Sequence, residues 1–193
     1  MAATESINLT LGTAAPDFAL ADPAGKIWTR SDFTAAPALL VVFMCNHCPY
    51  VIHLKEALVA FDADYAGQGL AIVAINSNDA RQYPDDAPDR MAADIATFGY
   101  RFPYLIDAAQ AVATAYYAIC TPDFFLFDRD CRLAYHGQFD ASRPRGGGPA
   151  TGADLRAAAD AVLAGRDVAG PQSPSVGCSI KWSPGNTPPY ADH

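Results

Sequence analysis

The run Val41-Val42-Phe43-Met44-Cys45-Asn46-His47-Cys48-Pro49-Tyr50 constrains this chain more than any other stretch. The apolar residues from Leu39 to Phe43 predict a buried strand. Directly after them, two cysteines three residues apart open a segment with apolar residues at helical spacing, Val51, Leu54, Leu58 and Phe61. A strand that delivers a Cys-x-x-Cys pair to a helix start is a redox arrangement, because orphan backbone N–H groups and the positive end of the helix dipole favour a thiolate. On that argument Cys45 is expected to be the nucleophile and the more acidic thiol, and Cys48 the resolving one. His47, when protonated, adds positive charge, and Asn46 and Pro49 complete the loop. A thiolate attacks a disulfide, and a second thiol one turn along closes a ring on the first. Structural zinc wants four ligands, and no second Cys-x-x-Cys or His-x-x-x-His accompanies the pair, so neither metal nor cofactor is assigned.

A length of 193 residues, 51% of them hydrophobic, suits one domain with its own core and no need of disulfide staples. The expected division is a domain over 1–170 and a proline-rich tail over 171–193 packed on it. Met1 to Ser6 lack the basic and apolar regions of a signal peptide, and no apolar run approaches the ~20 residues of a bilayer span. A cytoplasmic location is therefore expected, where five cysteines point to catalysis or redox sensing rather than staples. The formal charge of −8 argues against nucleic acid and anionic membranes as partners.

Before the central strand, Pro16 to Leu20 and Lys26 to Thr29 flank the turn Asp22-Pro23-Ala24-Gly25 and predict a β-hairpin. The helix after the cysteines is expected from about 49 to 61. Leu70 to Ile75 then form a second buried strand, whose short spacing implies a parallel pair with the first. Asp86 or a neighbour is expected to cap a helix carrying Met91, Ile95 and Phe98 and ending at Gly99. A short strand over 103–107 and a helix over 110–117 lead to Cys120-Thr121-Pro122-Asp123, where a proline introduces an aromatic strand and a hairpin back through His136. Gly146-Gly147-Gly148 lacks the spacing of a phosphate-binding loop, and Thr151 to Asp154 resemble a capping box opening a helix with Leu155, Ala159 and Val162 inside.

This order of elements resembles the thioredoxin fold, an α/β class, with the N-terminal β-hairpin and central insertion of the peroxiredoxin-like AhpC/TSA and TlpA/ResA-like branches. The supporting motifs are Gly12 to Phe18, Asn76-Ser77-Asn78-Asp79, Cys120 to Phe125 and Gly177-Cys178-Ser179-Ile180-Lys181-Trp182. The resemblance implies that Thr121-Pro122 is a cis-proline site facing the cysteine pair, where it binds substrate. It implies a thiol–disulfide oxidoreductase acting on a protein or small-molecule disulfide with an external thiol reductant. True peroxiredoxins resemble the chain at Cys48-Pro49, but carry Thr or Ser where Cys45 stands and an activating Arg where Pro122 stands. Peroxide reduction is therefore the alternative. Val41 and Val42 occupy the strand where thioredoxin has a buried acid, leaving Glu56 and Asp107 as candidate bases.

A third class is a Cu(I)-binding chaperone, since paired thiolates suit a soft ion, with His53 and His136 as candidate third ligands. Of the remaining cysteines, Cys131 is expected to be inert, beyond the hairpin turn. Cys120 should point away from the pair if Thr121 faces it, because alternate residues of a strand face opposite ways. Both Cys120 and Cys178 are kept as further candidate redox thiols, the second because Gly177 gives the backbone freedom and Lys181-Trp182 offers an anchor.

Overall fold

The computed structural model describes residues 3–146 and 148–191, so Gly147 of the triple glycine lies outside the described residues. In chain order the elements are β1 (Thr4–Glu5), β2 (Ala19–Ala21), β3 (Ile27–Thr29), β4 (Ala38–Phe43), α1 (Pro49–Tyr65) and β5 (Leu70–Asn76). They continue with α2 (Pro88–Phe98), β6 (Tyr104–Ile106), α3 (Ala111–Ala115), β7 (Cys120–Thr121), β8 (Asp123–Phe127), β9 (Leu133–Gly137), α4 (Ala153–Leu163) and β10 (Val176–Ser179).

Seven strands form one mixed sheet in the order β3-β2-β6-β5-β4-β8-β9, an α/β arrangement of the expected class. The interior strand β4 runs parallel to β5 and antiparallel to β8, with all six residues buried. A strand covered on both faces needs apolar side chains on both, which is why Ala38 to Phe43 read as a continuous run rather than an alternating one. Alternation still sorts the residues: Leu40 and Val42 face the core containing Cys45, Cys48, α1 and α4 residues, whereas Leu39, Val41 and Phe43 face a second core with Phe33, Tyr116 and Phe125. The hairpin β2–β3 forms as expected, with Ala19 opposite Thr29.

The stripe Val51, Leu54, Leu58, Phe61 and Tyr65 is buried, and it carries α1 one turn beyond the expected end at 61. Phe61 is fully buried, with ring centroids 4.6 Å from Tyr65 and 5.9 Å from Phe139. Phe61→Ala leaves a cavity between α1 and the sheet and is expected to cost about 3–5 kcal/mol, read from denaturant midpoints at unchanged m.

The two helix starts differ in detail from expectation. Of Asp86 and its neighbours, Ala87 takes the N-cap of α2 without a side-chain hydrogen bond, and the Asp86 carboxylate turns toward the cysteine loop. The helix α4 starts at Gly152 rather than through a Thr151–Asp154 box: the Asp140 carboxylate accepts the amides of Thr151 and Gly152 at 2.5 and 2.6 Å, and so serves that helix end from outside. The residues after α4 do not merely lie along the surface. Strand β10 joins a second, three-stranded sheet in the order β1-β10-β7, with Cys178 opposite Thr121 and Ser179 opposite Cys120. A Cβ on Gly177 would run into the Thr121 carbonyl, so a glycine is needed for the two backbones to approach this closely.

Candidate active site

The cysteine loop connects the end of β4 to the start of α1, and it places Cys48 at the N-cap with Pro49 in the first turn. Proline suits that turn because its missing N–H would have had no helical partner. Cys45 is 1% exposed and Cys48 0%. Both sulfurs converge on one residue. Cys45 Sγ lies 3.4 Å from Thr121 Oγ1, and the Cys48 thiol donates to the Thr121 carbonyl at 3.1 Å. The Thr121–Pro122 peptide bond is cis.

A polar clamp holds the loop from the other side. The Asn46 amide donates to Asp86 Oδ1 at 2.7 Å, the Asn46 side chain donates to the Asp85 carbonyl, and Asn78 Nδ2 donates to Asp86 Oδ2 at 2.7 Å. His47 Nδ1 stands 2.8 Å from Asp86 Oδ2, an ion pair without hydrogen-bond alignment, and the imidazole stacks on Tyr83 at 5.4 Å. Beneath the loop, the buried Lys55 ammonium donates to the Asn46 carbonyl at 3.2 Å and pairs with Asp94 at 2.6 Å, while the Tyr104 hydroxyl donates to Asn46 Oδ1.

The Cys48 thiol is held low and the Cys45 thiol high, a direction opposite to the sequence expectation that Cys45 is the more acidic thiol. The thiol hydrogen bond from Cys45 pulls the Cys48 thiol down to about 5 against the cost of burial, helped by contacts from Cys178 and the Val51 amide at the helix start. Cys45 is pushed well up by that same shared proton, by burial and by the Asp86 carboxylate. The Thr121 carbonyl, which accepts from the Cys48 thiol at 3.1 Å, works the other way and favours a protonated Cys48. The helix starts at Pro49, so Cys48, not Cys45, sits where orphan amides and dipole act. Alkylation of Cys48 by iodoacetamide should therefore rise with pH around 5 and level off by neutrality, with Cys45 silent over that range. A rise only near pH 8–9 would contradict it.

Burial disfavours the Asp86 anion, but His47, Asn78 and the Asn46 amide together hold its carboxyl below the usual range. The Asp86 carboxylate in turn raises the His47 imidazole, against its burial. The lowered carboxyl contributes stability above its unfolded value of ~3.9, lost as pH falls through its folded value. The raised imidazole contributes below its unfolded value of ~6.5, lost as pH rises through its folded value. The pair's contribution is thus largest between about pH 4 and 6.5. His47→Ala should cost most stability in that window and progressively less above it, as denaturation midpoints would show.

Of the candidate bases, Glu56 is exposed, and Asp107 is buried but accepts from Ser77 Oγ and the Ala113 amide, both at 2.9 Å, so it serves the start of α3. The histidines proposed as copper ligands have other partners: His53 bonds Ser142 at 2.9 Å and His136 bonds Asp123 at 3.0 Å. The one group of potential metal ligands among the described residues is Cys45, His47 and Asp86, with ligand atoms within 4.8 Å of one another. Asp86 already serves Asn46, Asn78 and His47 there, and this internal use accounts for the grouping.

Cys120 is fully buried, and burial pushes its thiol well up. Cys131 packs against the second core, on the other side of the sheet from the pair. Sequence reasoning missed Asp86 as a partner of the loop, along with Asn78, Tyr83, Tyr104 and Lys55. The available signal was Lys55, a charge between Leu54 and Leu58 on an otherwise buried helix face. Beside Pro122 there is only a small cleft of about 20 Å³, lined in part by Tyr50, His53, Gln138 and Ser175, room for little more than a water.

The model of the AhpC/TSA family matches residues 11–136. The thiol-disulfide oxidoreductase ResA of Geobacillus thermodenitrificans is 27% identical over 132 residues, 67% of this chain and 70% of that protein. The crystal structure of a hypothetical protein from Sinorhizobium meliloti 1021 superposes with a TM-score of 0.93 at 58% identity, covering 94% of this chain and 100% of that one. A thiol:disulfide interchange protein of the thioredoxin family from Chlorobium tepidum TLS shares the fold at 18% identity and a TM-score of 0.62, over 81% of this chain and 99% of that one.

Proposed function

This chain belongs to the AhpC/TSA family of redox proteins, and on that premise we propose that it is a thiol–disulfide oxidoreductase whose Cys45–Cys48 pair exchanges disulfides beside Thr121-Pro122. The observation that carries the reading is the convergence of both sulfurs on Thr121, 3.4 Å from its hydroxyl and 3.1 Å from its carbonyl.

With the resting charge on Cys48, its thiolate attacks one sulfur of a substrate disulfide. The S–S bond breaks, the departing thiolate takes the Cys45 proton, and a mixed disulfide remains on Cys48. The Cys45 thiolate then attacks the Cys48 sulfur, expels the second substrate thiolate and leaves Cys45–Cys48 oxidised. An external thiol reductant returns both to thiols. Asn46, His47 and Pro49 hold the loop, and Thr121 and Pro122 form the substrate edge. The small cleft favours an extended disulfide-bearing peptide over an enclosed small molecule.

One observation favours a second reading. A low thiol at Cys48, the position that resembles the peroxidatic one, suits attack on peroxide: the O–O bond breaks, Cys48 becomes a sulfenic acid, and the Cys45 thiol condenses with it, releasing water. Reduced protein should accelerate dithiothreitol-driven reduction of a fluorescent peptide disulfide well above dithiothreitol alone. Peptide reduction at the background rate overturns the first reading, and rapid consumption of hydrogen peroxide in the same buffer would put the second in its place.

A further inference from the structure

The edge assigned above to an extended substrate is filled by the chain's own tail. Strand β10 pairs antiparallel with β7, placing Cys178 directly opposite Thr121, the residue on which both active-site sulfurs converge. Directly opposed residues of an antiparallel pair project to the same face. Since the Thr121 hydroxyl meets Cys45, Cys178 emerges on the side of the pair, and all three cysteines lie in one buried cluster. Cys120 and Ser179, one step along, project to the other face.

The placement is fixed at both ends. Before β10, Ser6 and Ser175 exchange hydrogen bonds at 2.9 Å. After it, Asn78 Oδ1 accepts the Lys181 amide at 2.8 Å, and the Lys181 carbonyl accepts the Asp79 amide at 2.8 Å and Gln110 Nε2 at 2.9 Å. Asn78 also holds Asp86, so the clamp of the cysteine loop and the anchor of the tail share a residue. Gly177 permits the close approach, since any Cβ there would strike the Thr121 carbonyl.

Resting on the oxidoreductase reading, we propose that Cys178 is a third exchange thiol, held by β10 as an internal substrate, to which the Cys45–Cys48 disulfide can pass. The Cys178 sulfur attacks Cys48, the Cys45–Cys48 bond breaks as the Cys48–Cys178 bond forms, and the Cys178 proton ends on Cys45. Nothing is oxidised or reduced overall; the disulfide isomerises. In the reduced protein the Cys178 thiol is pushed up to about 12, by burial, by its contact with Cys48 and by the negative charge there, while Lys181 works the other way. Oxidation of Cys48 removes the charge and leaves Cys178 easier to ionise. The consequence is that β10 becomes covalently tied to the start of α1, with Cys45 regenerated as a thiol beside it.

The test is disulfide mapping on the full chain. Wild-type protein and Cys45→Ser are oxidised with diamide, quenched in acid, alkylated, digested and analysed by mass spectrometry. Expected are both Cys45–Cys48 and Cys48–Cys178 linked peptides in the wild type, and Cys48–Cys178 as the main species in Cys45→Ser, with Cys178 protected from alkylation. Cys45–Cys48 alone in the wild type, with Cys178 alkylated in both proteins, overturns the inference and leaves the oxidoreductase reading standing. If neither linkage forms, both fail.

Discussion

Cys48→Ser is expected to lower peptide-disulfide reduction on the order of 10³-fold or more, because it removes both the resting thiolate and the sulfur that every exchange step passes through. Cys45→Ser should behave differently. It keeps the attacking group, so with Cys178 also replaced by serine it should react once with a peptide disulfide and accumulate a mixed disulfide on Cys48, visible as an adduct of the peptide's mass. The asymmetry follows from the helix start: Cys48 is the N-cap, at the positive end of the helix dipole, whereas Cys45 lies three residues upstream, nearer Asp86. An adduct on Cys45 in Cys48→Ser, with none on Cys48 in the Cys45→Ser, Cys178→Ser double variant, would restore the order expected from the sequence.

Gly177→Val should open the site. Its branched side chain cannot be accommodated against the Thr121 carbonyl, so β10 must move off β7 or the edge must distort, at a cost of about 1–3 kcal/mol. With Cys48 wholly buried, reagents reach it through local opening, and each 1.4 kcal/mol removed from the opening free energy raises the rate about tenfold. The variant should therefore alkylate Cys48 on the order of 10–100-fold faster than wild type at neutral pH. Global stability should fall by no more than a few kcal/mol, since β4, β5 and β8 are untouched. An unchanged alkylation rate would mean that the site opens elsewhere than at β10.

The features carried by local pattern are legible in the amino-acid sequence alone. The apolar run ending at Phe43, the cysteine spacing and the stripe from Val51 to Phe61 each encode an element within a dozen residues, and together they define the core around β4 and α1. Thr121 and Pro122 are legible through the family resemblance alone, because a proline at the first residue of a strand is ordinary in itself. Asp86 is not, because an acidic residue before a proline-led helix has the same local signature whether it caps that helix or reaches 40 residues back to the Asn46 amide. The placement of the pair is hidden for a related reason: spacing puts two cysteines near a helix start, but only the fold shows that Cys48 takes the N-cap position. The motif from Gly177 to Trp182 is visible, but its meaning depends on Asn78 and Gln110, some 70 to 100 residues away, which fix where Cys178 comes to rest.

The central claim is that Cys45 and Cys48 form a reversible disulfide within a persisting fold. It is tested most directly in Cys178→Ser, where the pair has only each other, by equilibrating the protein across mixtures of oxidised and reduced dithiothreitol and mapping linked peptides after acid quench. The expected result is one two-electron transition in which the Cys45–Cys48 peptide appears and disappears reversibly, with unchanged far-UV circular dichroism. No Cys45–Cys48 linked peptide at any ratio, or one that forms only as the fold is lost, would contradict it.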